Sequence, residues 1–155
     1  MDDATFIRLC TDSMTAFYRV AFSILRKQQD AEDAVQQALM KSWISRKRIW
    51  KGSEQAWIMR IVINECRNIQ RHRMRVSPLE HLPDASSDWP DMALRVAVDA
   101  LPETLRLPLL LKYMESMPEK EIAHALRLSV PAVKSRLHRA RQALRNELNE
   151  EVEWL

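Results

Sequence analysis

The sequence predicts an all-α protein: two small helical domains joined by a flexible acidic linker. One glycine in 155 residues is too few for the tight turns that connect β-strands. Apolar residues recur at helical spacing along most of the chain, apart from residues 76–90, where Pro, Ser and acidic residues replace the periodicity. Charge also alternates: residues 46–75 carry nine Lys/Arg against two Glu, whereas residues 76–104 carry six Asp/Glu against one Arg.

These boundaries place a first domain at residues 1–75, the linker at 76–91 and a second domain at 92–148. Residues 149–155 form an acidic tail, since four of the last ten residues are Glu. The negative charge of the linker, between two basic domains, suits either a solubilising tether or a strand that occupies a channel built for nucleic acid.

Composition argues against several classes of protein. Cys10 and Cys66 lack any spacing suited to zinc, so we expect two small, buried, reduced residues. There is no carboxylate pair, metal set or nucleophile with a base, so we expect neither an enzyme nor a cofactor. No apolar run approaches the roughly 20 residues of a membrane span, and the N-terminus is acidic. We therefore expect a cytoplasmic protein with no membrane insertion of its own.

Residues 5–27 have the spacing of a long scaffold helix. Asp30 is the predicted cap of a second helix, with Val35, Leu39 and Trp43 on its buried side. From the residues alone, the acids in its first turn suit the start of a helix and indicate nothing more.

Residues 46–53 contain the only glycine and mix positive charge with tryptophan. Such a loop suits contact with phosphates and with an unstacked base, and it equally suits a plain turn that buries Ile49 and Trp50. A long helix follows, from residue 53 or 54 to about 75, with an apolar stripe on one side. Opposite that stripe lies a row at i, i+4, i+7 and i+11, formed by Arg60, Asn64, Arg67 and Arg71. Glu65 falls inside the apolar stripe, where a polar contact with a neighbouring helix would account for it.

The second domain begins with two apolar helices, after Asp91 and after Pro102, and Pro108 allows a kink or a break in the latter. Residues 116–145 then predict a helix-turn-helix. Ser116 and Glu119 have the spacing of a capping box for its first helix, which stops near Arg127.

The second helix of this motif has Ser129 as its predicted cap and Pro131 in its first turn. Residues 132–145 carry five Lys/Arg and no acid, which favours binding to the major groove of DNA over a merely solvated face. Apolar residues at helical spacing form the packed stripe. They are Val133, Leu137, Ala140 and Leu144.

Four stretches in order carry a resemblance to a known family. They are DAEDAVQQALMKSW (residues 30–43), AWIMRIVINECRN (56–68), LPETLRLPLLLKYMES (101–116) and EIAHALRLSVPAVKSRLHRARQAL (121–144). With their flanks they cover nearly the whole chain, and they resemble the extracytoplasmic-function (ECF) group of bacterial RNA polymerase sigma factors, which keep only regions two and four.

The resemblance implies partners and site residues. The partners are core RNA polymerase, through its β′ clamp helices and β flap, promoter DNA, and an anti-sigma factor. The implied polymerase contacts are Asp30, Glu32, Asp33, Gln36 and Gln37. The implied minus-ten contacts, including a loop that captures a flipped base, are Trp50, Lys51, Ser53, Arg60, Asn64, Arg67 and Arg71. The implied minus-thirty-five contacts are Lys134, Ser135, Arg136, His138 and Arg139. The linker matches the segment that threads toward the RNA exit channel.

Some positions depart from the family pattern. Relatives usually have an acid at Gln37 and phenylalanine at Leu39, which implies a weaker hold on polymerase. They commonly read Gly-Thr at Pro131 and Ala132, and an apolar or aromatic residue at His138, so no relative's promoter sequence transfers to this chain. Two alternatives to a sigma factor are a stand-alone helix-turn-helix regulator and a polymerase accessory protein that reads no promoter. The docking helix and the separate Arg60 row argue against a simple regulator.

Overall fold

The computed structural model describes residues 1–76 and 92–148. Within these ranges the chain forms seven α-helices, one short 3₁₀ turn and no strand, which confirms the predicted all-α class. Residues 1–76 belong to one compact unit and residues 92–148 to another. The predicted linker, apart from Val76 at the end of a helix, and the predicted acidic tail lie outside the described residues. No helix in the described ranges is both long and apolar enough to cross a membrane.

The first unit packs three helices against one another: α1 (Asp3–Leu25), α2 (Gln28–Ile44) and α3 (Glu54–Val76). The 3₁₀ turn Arg46–Arg48 follows α2. Large apolar side chains from α1 and α3 are fully withdrawn from water, and small ones from α2 let the helices approach closely. These core residues include Phe17, Val20, Ala34, Ala38, Ile58 and Val62.

The start of α1 differs from the prediction. Asp2 caps this helix by accepting a hydrogen bond from the Thr5 amide at 2.8 Å, so the helix begins at Asp3 rather than at Thr5. The hydrogen bonds from Thr5 lower the pKa of Asp2. At the other end, Arg26 adopts a left-handed conformation with φ 59° and stops the helix.

The predicted cap of α2 was wrong. The helix begins at Gln28, its N-cap is Lys27 without a side-chain hydrogen bond, and Asp30 lies inside the first turn. The Asp30 carboxylate instead accepts hydrogen bonds from Arg73 of α3. The side chain that the local sequence pattern predicted to be a helix cap therefore binds Arg73, which is 43 residues away in the sequence.

The predicted buried side of α2 was only partly right. Val35 is buried, but Leu39 is half-buried and Trp43 is 36% exposed. Trp43 lies at the edge of the core, where its ring contacts Phe6 and the Arg46 guanidinium stacks 3.8 Å from its centroid. The buried stripe of α2 is made mainly of alanines, which have little apolar surface and give a weak sequence signal.

Glu65 is buried in α3 and forms an ion pair with Lys41 of α2. This pair explains why a carboxylate occupies the apolar stripe. A charge removed from water needs an opposite charge beside it. The two cysteines are both free thiols; Cys66 is buried, while Cys10 is half-buried and burial raises the pKa of its thiol.

The second unit contains α4 (Met92–Ala100), α5 (Glu103–Tyr113), α6 (Glu119–Leu126) and α7 (Val130–Leu148). The last helix contacts the other three, so α4 and α5 form the apolar bed on which it lies. Helix α5 continues through Pro108, which is buried within it. Helices α6 and α7 form the predicted helix-turn-helix.

The predicted capping box of α6 was wrong. The N-cap is Pro118, which lies outside the helix, and no side chain caps it. Ser116 has a left-handed backbone with φ 53°, and the next amide, that of Met117, donates to the Leu111 carbonyl at 2.9 Å. The left-handed backbone of Ser116 therefore helps to end α5. In this conformation Ser116 does not cap α6.

Candidate docking surface and nucleic-acid interface

Four of the five predicted polymerase contacts lie on the exposed side of α2. Their carboxylates and amides form what we call the docking face: Glu32, Asp33, Gln36 and Gln37. Two of them accept hydrogen bonds from glutamines one turn earlier. Gln28 donates to Glu32 at 3.3 Å, and Gln29 donates to Asp33 at 3.0 Å. The fifth, Asp30, is 30% exposed and faces Arg73. The structure thus groups four of these residues on one face and turns the fifth toward α3.

The loop before α3 is a tight turn. The Ser53 amide donates to the Trp50 carbonyl at 3.0 Å, and Gly52 between them has φ 83°, which L-residues rarely adopt. The Gly52 amide donates to the Glu54 carboxylate at 2.8 Å, and the Ser53 carbonyl accepts the first helical bond of α3 from Trp57. These bonds fix the loop to the beginning of the helix.

Trp50 is half-buried at this turn, and it contacts the first arginine of the predicted row. The Arg60 guanidinium carbon lies 5.4 Å from the centroid of the Trp50 ring, within the range of a cation–π contact. The turn is partly packed, as one interpretation of the loop predicted, and it presents the exposed Lys51 and the edge of the half-buried Trp50 beside a basic helix. Contact of this loop with phosphates or an unstacked base stays a prediction.

The predicted row on α3 forms a ridge along one side of the helix. Arg60 is half-buried, whereas Asn64, Arg67 and Arg71 are exposed. Arg71 donates a hydrogen bond to Asn68, one turn before it. A line of guanidinium groups spaced by helical turns is suited to following the phosphates of a nucleic-acid strand. We call these four residues the arginine ridge.

The turn of the helix-turn-helix is closed at both ends. Arg127 adopts a left-handed conformation with φ 57° after α6, and the Leu128 amide donates to the Ala123 carbonyl at 2.9 Å. The Ser129 hydroxyl accepts from the Ala132 amide at 3.2 Å, which confirms its prediction as the cap of α7. Local hydrogen bonds therefore fix where α6 ends and where α7 begins.

The two sides of α7 differ as the sequence predicted. The packed stripe of Val133, Leu137, Ala140 and Leu144 is fully buried. On the other side, Lys134, Ser135, His138 and Arg139 are exposed, and Arg136 is half-buried. Four of the five predicted minus-thirty-five contacts thus lie on the exposed face, while Arg136 lies at its border.

Three cations that sequence reasoning did not place have structural partners. Arg73 binds Asp30, Lys41 binds Glu65, and Arg141 donates to the Tyr113 hydroxyl at 3.1 and 2.9 Å, which fastens α7 to α5. For Arg73 a signal existed. Arg73 continues the apolar stripe of Cys66 and Ile69 at i+7 and i+4, so a buried partner was to be expected. In the described part of the chain, no group of three His, Cys, Asp or Glu residues is placed to hold a metal ion.

Family models match both units. Residues 11–76 match sigma-70 region 2, and residues 91–144 match sigma-70, region 4. The chain is 34% identical to the RNA polymerase sigma-E factor of Streptomyces avermitilis, over 86% of this chain and 79% of that protein. It is 28% identical to RNA polymerase sigma factor SigV of Bacillus subtilis, over 96% of this chain and 93% of that protein.

The fold is also similar to that of a solved structure. The sigma factor RpoE of Bartonella quintana, crystallised with the anti-sigma factor NepR, matches with a TM-score of 0.80 at 24% identity. The match covers 95% of this chain and 98% of that one. At this identity the likeness concerns the fold.

Proposed function

Because this chain belongs to the sigma-70 family of RNA polymerase sigma factors, within its ECF group, we propose a division of labour between its two units. The first unit docks on the β′ clamp helices through the docking face and handles the minus-ten element. The second unit reads the minus-thirty-five element through α7 and contacts the β flap. The observation that supports this most is the coexistence, in one chain, of an acidic and amide-rich face on α2 and two basic helices, α3 and α7.

Reconstitution with core polymerase tests this proposal directly. The full chain should form a complex with core enzyme, and that complex should start transcripts at fragments selected from random promoter DNA. Each retained fragment should contain two short elements at a fixed separation. Binding to duplex DNA without any association with core enzyme would contradict the polymerase role. Association without selected fragments would contradict promoter recognition.

The loop and the arginine ridge are the proposed minus-ten site. Trp50 offers an aromatic surface of the kind on which an unstacked base rests, and Arg60 adds positive charge beside it. Further along α3, the exposed Asn64, Arg67 and Arg71 follow the strand. Trapping a base outside the stack lowers the free energy of the open promoter without any bond being made or broken.

Replacing Asn64 by alanine is expected to impair promoter melting more than upstream binding. Its exposed amide lies on the ridge, where it can hydrogen-bond a base edge or the backbone of the separated strand. Permanganate reactivity of minus-ten thymines measures the opening, and a duplex limited to the upstream element measures binding. Asn68→Ala, one turn further along the same helix, removes the side chain that Arg71 binds, so comparison of the two variants separates the loss of the Asn64 amide from a general disturbance of the ridge. Equal permanganate reactivity in the Asn64 variant and the unaltered chain would contradict this role.

The exposed side of α7 is the proposed minus-thirty-five site. Arg139 lies one turn after Ser135 and is exposed, as a residue that reaches a base edge in the major groove must be. We expect Arg139→Ala to weaken binding to the preferred upstream element by about 1–3 kcal/mol and to relax its sequence preference. Titration of matched and mismatched duplexes at several salt concentrations measures both effects. An equal loss on every duplex, together with a reduced salt dependence, would assign Arg139 to a phosphate instead.

An anti-sigma factor is the proposed regulator. The solved complex of RpoE with NepR supports this for a protein of the same fold. Such a regulator would block transcription by covering the docking face, so it should compete with core polymerase for the chain. Simultaneous binding of both partners would contradict that mode of inhibition.

A further inference from the structure

A single guanidinium, that of Arg73, joins the ends of three helices in the first unit. Arg73 lies in the last turn of α3. Its Nη1 donates to the carbonyl of Leu25, the last residue of α1, at 2.8 Å. Its Nε donates to the Asp30 carboxylate, in the first turn of α2, at 3.0 Å, and its Nη2 donates to the same oxygen. The Arg73 side chain is only 15% exposed.

Each of these bonds stabilises the helix end that it contacts, either by pairing a terminal carbonyl or by placing a charge favourably in the helix dipole. The Leu25 carbonyl belongs to the last turn of α1, whose final carbonyls have no intrahelical donor. Asp30 lies at the positive end of the α2 dipole, and Arg73 lies at the negative end of the α3 dipole. Charge-assisted bonds between partly buried groups are among the stronger hydrogen bonds in proteins. The contact therefore resists competition by water.

We propose that Asp30 and Arg73 are positioning residues, which fix the first turn of α2 against α1 and α3. Asp30 then supports polymerase binding indirectly, by holding α2 in place through Arg73. The docking face makes the contact with polymerase. This inference rests on the proposed docking function of α2. Since α2 carries the docking face and α3 carries the arginine ridge, this ion pair fixes the N-terminal end of the first against the C-terminal end of the second, while the Lys41–Glu65 pair joins the same two helices elsewhere.

A double-mutant cycle on the full chain tests the proposal. The variants are Asp30→Ala, Arg73→Gln, the combination of the two, and Arg73→Lys. The dissociation constant for core polymerase is measured at a temperature at which circular dichroism shows every variant folded. We expect each single variant to bind about tenfold more weakly and the combination to bind no more weakly than either, since both remove the same interaction. Arg73→Lys keeps the charge and should recover part of the affinity.

Three results would overturn the proposal. If Asp30→Ala weakens binding and Arg73→Gln does not, Asp30 touches polymerase directly. If the two losses multiply, to about a hundredfold in the combination, the residues act independently. If the variants melt at lower temperature but the folded proteins keep full affinity, the contact only stabilises the fold.

Asp33→Ala is the matched control for the premise. Asp33 is an exposed carboxylate on the same helix, and its partner Gln29 lies within α2 itself. It should weaken polymerase binding whether or not the Arg73 contact matters. If the unaltered chain shows no affinity for core polymerase, the proposed function fails, and the inference fails with it. If Asp33→Ala weakens binding while Arg73→Gln does not, only the inference fails.

Discussion

Replacing Leu137 by alanine should unfold or severely weaken the second unit. Leu137 is completely buried in the packed stripe of α7, and removing a buried leucine side chain costs about 2–5 kcal/mol. Small helical units have little stability to spare, because they bury less of their surface than large domains do. The exposed side of α7, which is the proposed minus-thirty-five site, depends on that packing. Binding to the upstream promoter element should therefore be lost.

The same substitution should spare the first unit. Residues 1–76 form their own compact unit, with a separate core around Phe17 and Ile58. We expect association with core polymerase through the docking face to persist in the Leu137 variant. Denaturant unfolding followed by circular dichroism, a duplex titration and a core-binding assay measure the three effects. Leu148→Ala, at the half-buried end of the same helix, is the control and should cost less. A parallel loss of polymerase binding would show that the units do not act separately.

Reversing the charge of Asp33 should have the largest effect on polymerase binding. Asp33→Arg places a cation in the middle of the docking face, and like charges forced together at an interface cost several kcal/mol. We expect a loss of at least about 2 kcal/mol in binding, roughly thirtyfold. Stability should change by no more than about 0.5 kcal/mol, because the side chain is exposed.

Asp12→Arg provides the matched control for that experiment. Asp12 is also an exposed aspartate, but it lies on α1, whereas the docking face is formed by α2. It introduces the same change of net charge, so a general electrostatic effect on polymerase would appear in both variants. Fluorescence anisotropy of labelled chain with core enzyme, at two salt concentrations, measures the difference. Equal affinities of the two variants would contradict a specific role of Asp33.

Features that depend on neighbours in the sequence could be predicted from it. Ser129 caps α7 as expected, because its hydroxyl reaches an amide three residues away. The buried stripe of α7 follows from the helical period alone, and so does the alignment of the arginine ridge along one side of α3. The chain order of these elements also carried the family resemblance. The fold class and the exposure of most predicted site residues were therefore accessible from the sequence, while the partners that they contact stay predictions.

The identity of a side chain's distant partner could not be predicted. The residues around Asp30 are typical of a helix start, so Asp30 was predicted to be a cap. Its carboxylate instead accepts a hydrogen bond from Arg73, 43 residues away. For Glu65 a polar contact with a neighbouring helix was expected, but its partner Lys41, 24 residues earlier, could not be named from the sequence. Ser116 matched a capping box in spacing, yet the exit from α5 required its left-handed backbone. In each case a tertiary contact or a backbone constraint overrode a local preference.

Gly52 shows how a backbone conformation limits which substitutions a position can accept. A side chain added at this position would meet no atom within 4 Å, so space does not forbid it. The obstacle is the positive φ of 83°, which disfavours every residue with a Cβ atom and least disfavours asparagine and aspartate. Asparagine and aspartate should therefore be the best-tolerated substitutions at Gly52, and β-branched residues should be the least tolerated. The chemistry of the loop can then change through Lys51, whose side chain is exposed, without the turn being rebuilt.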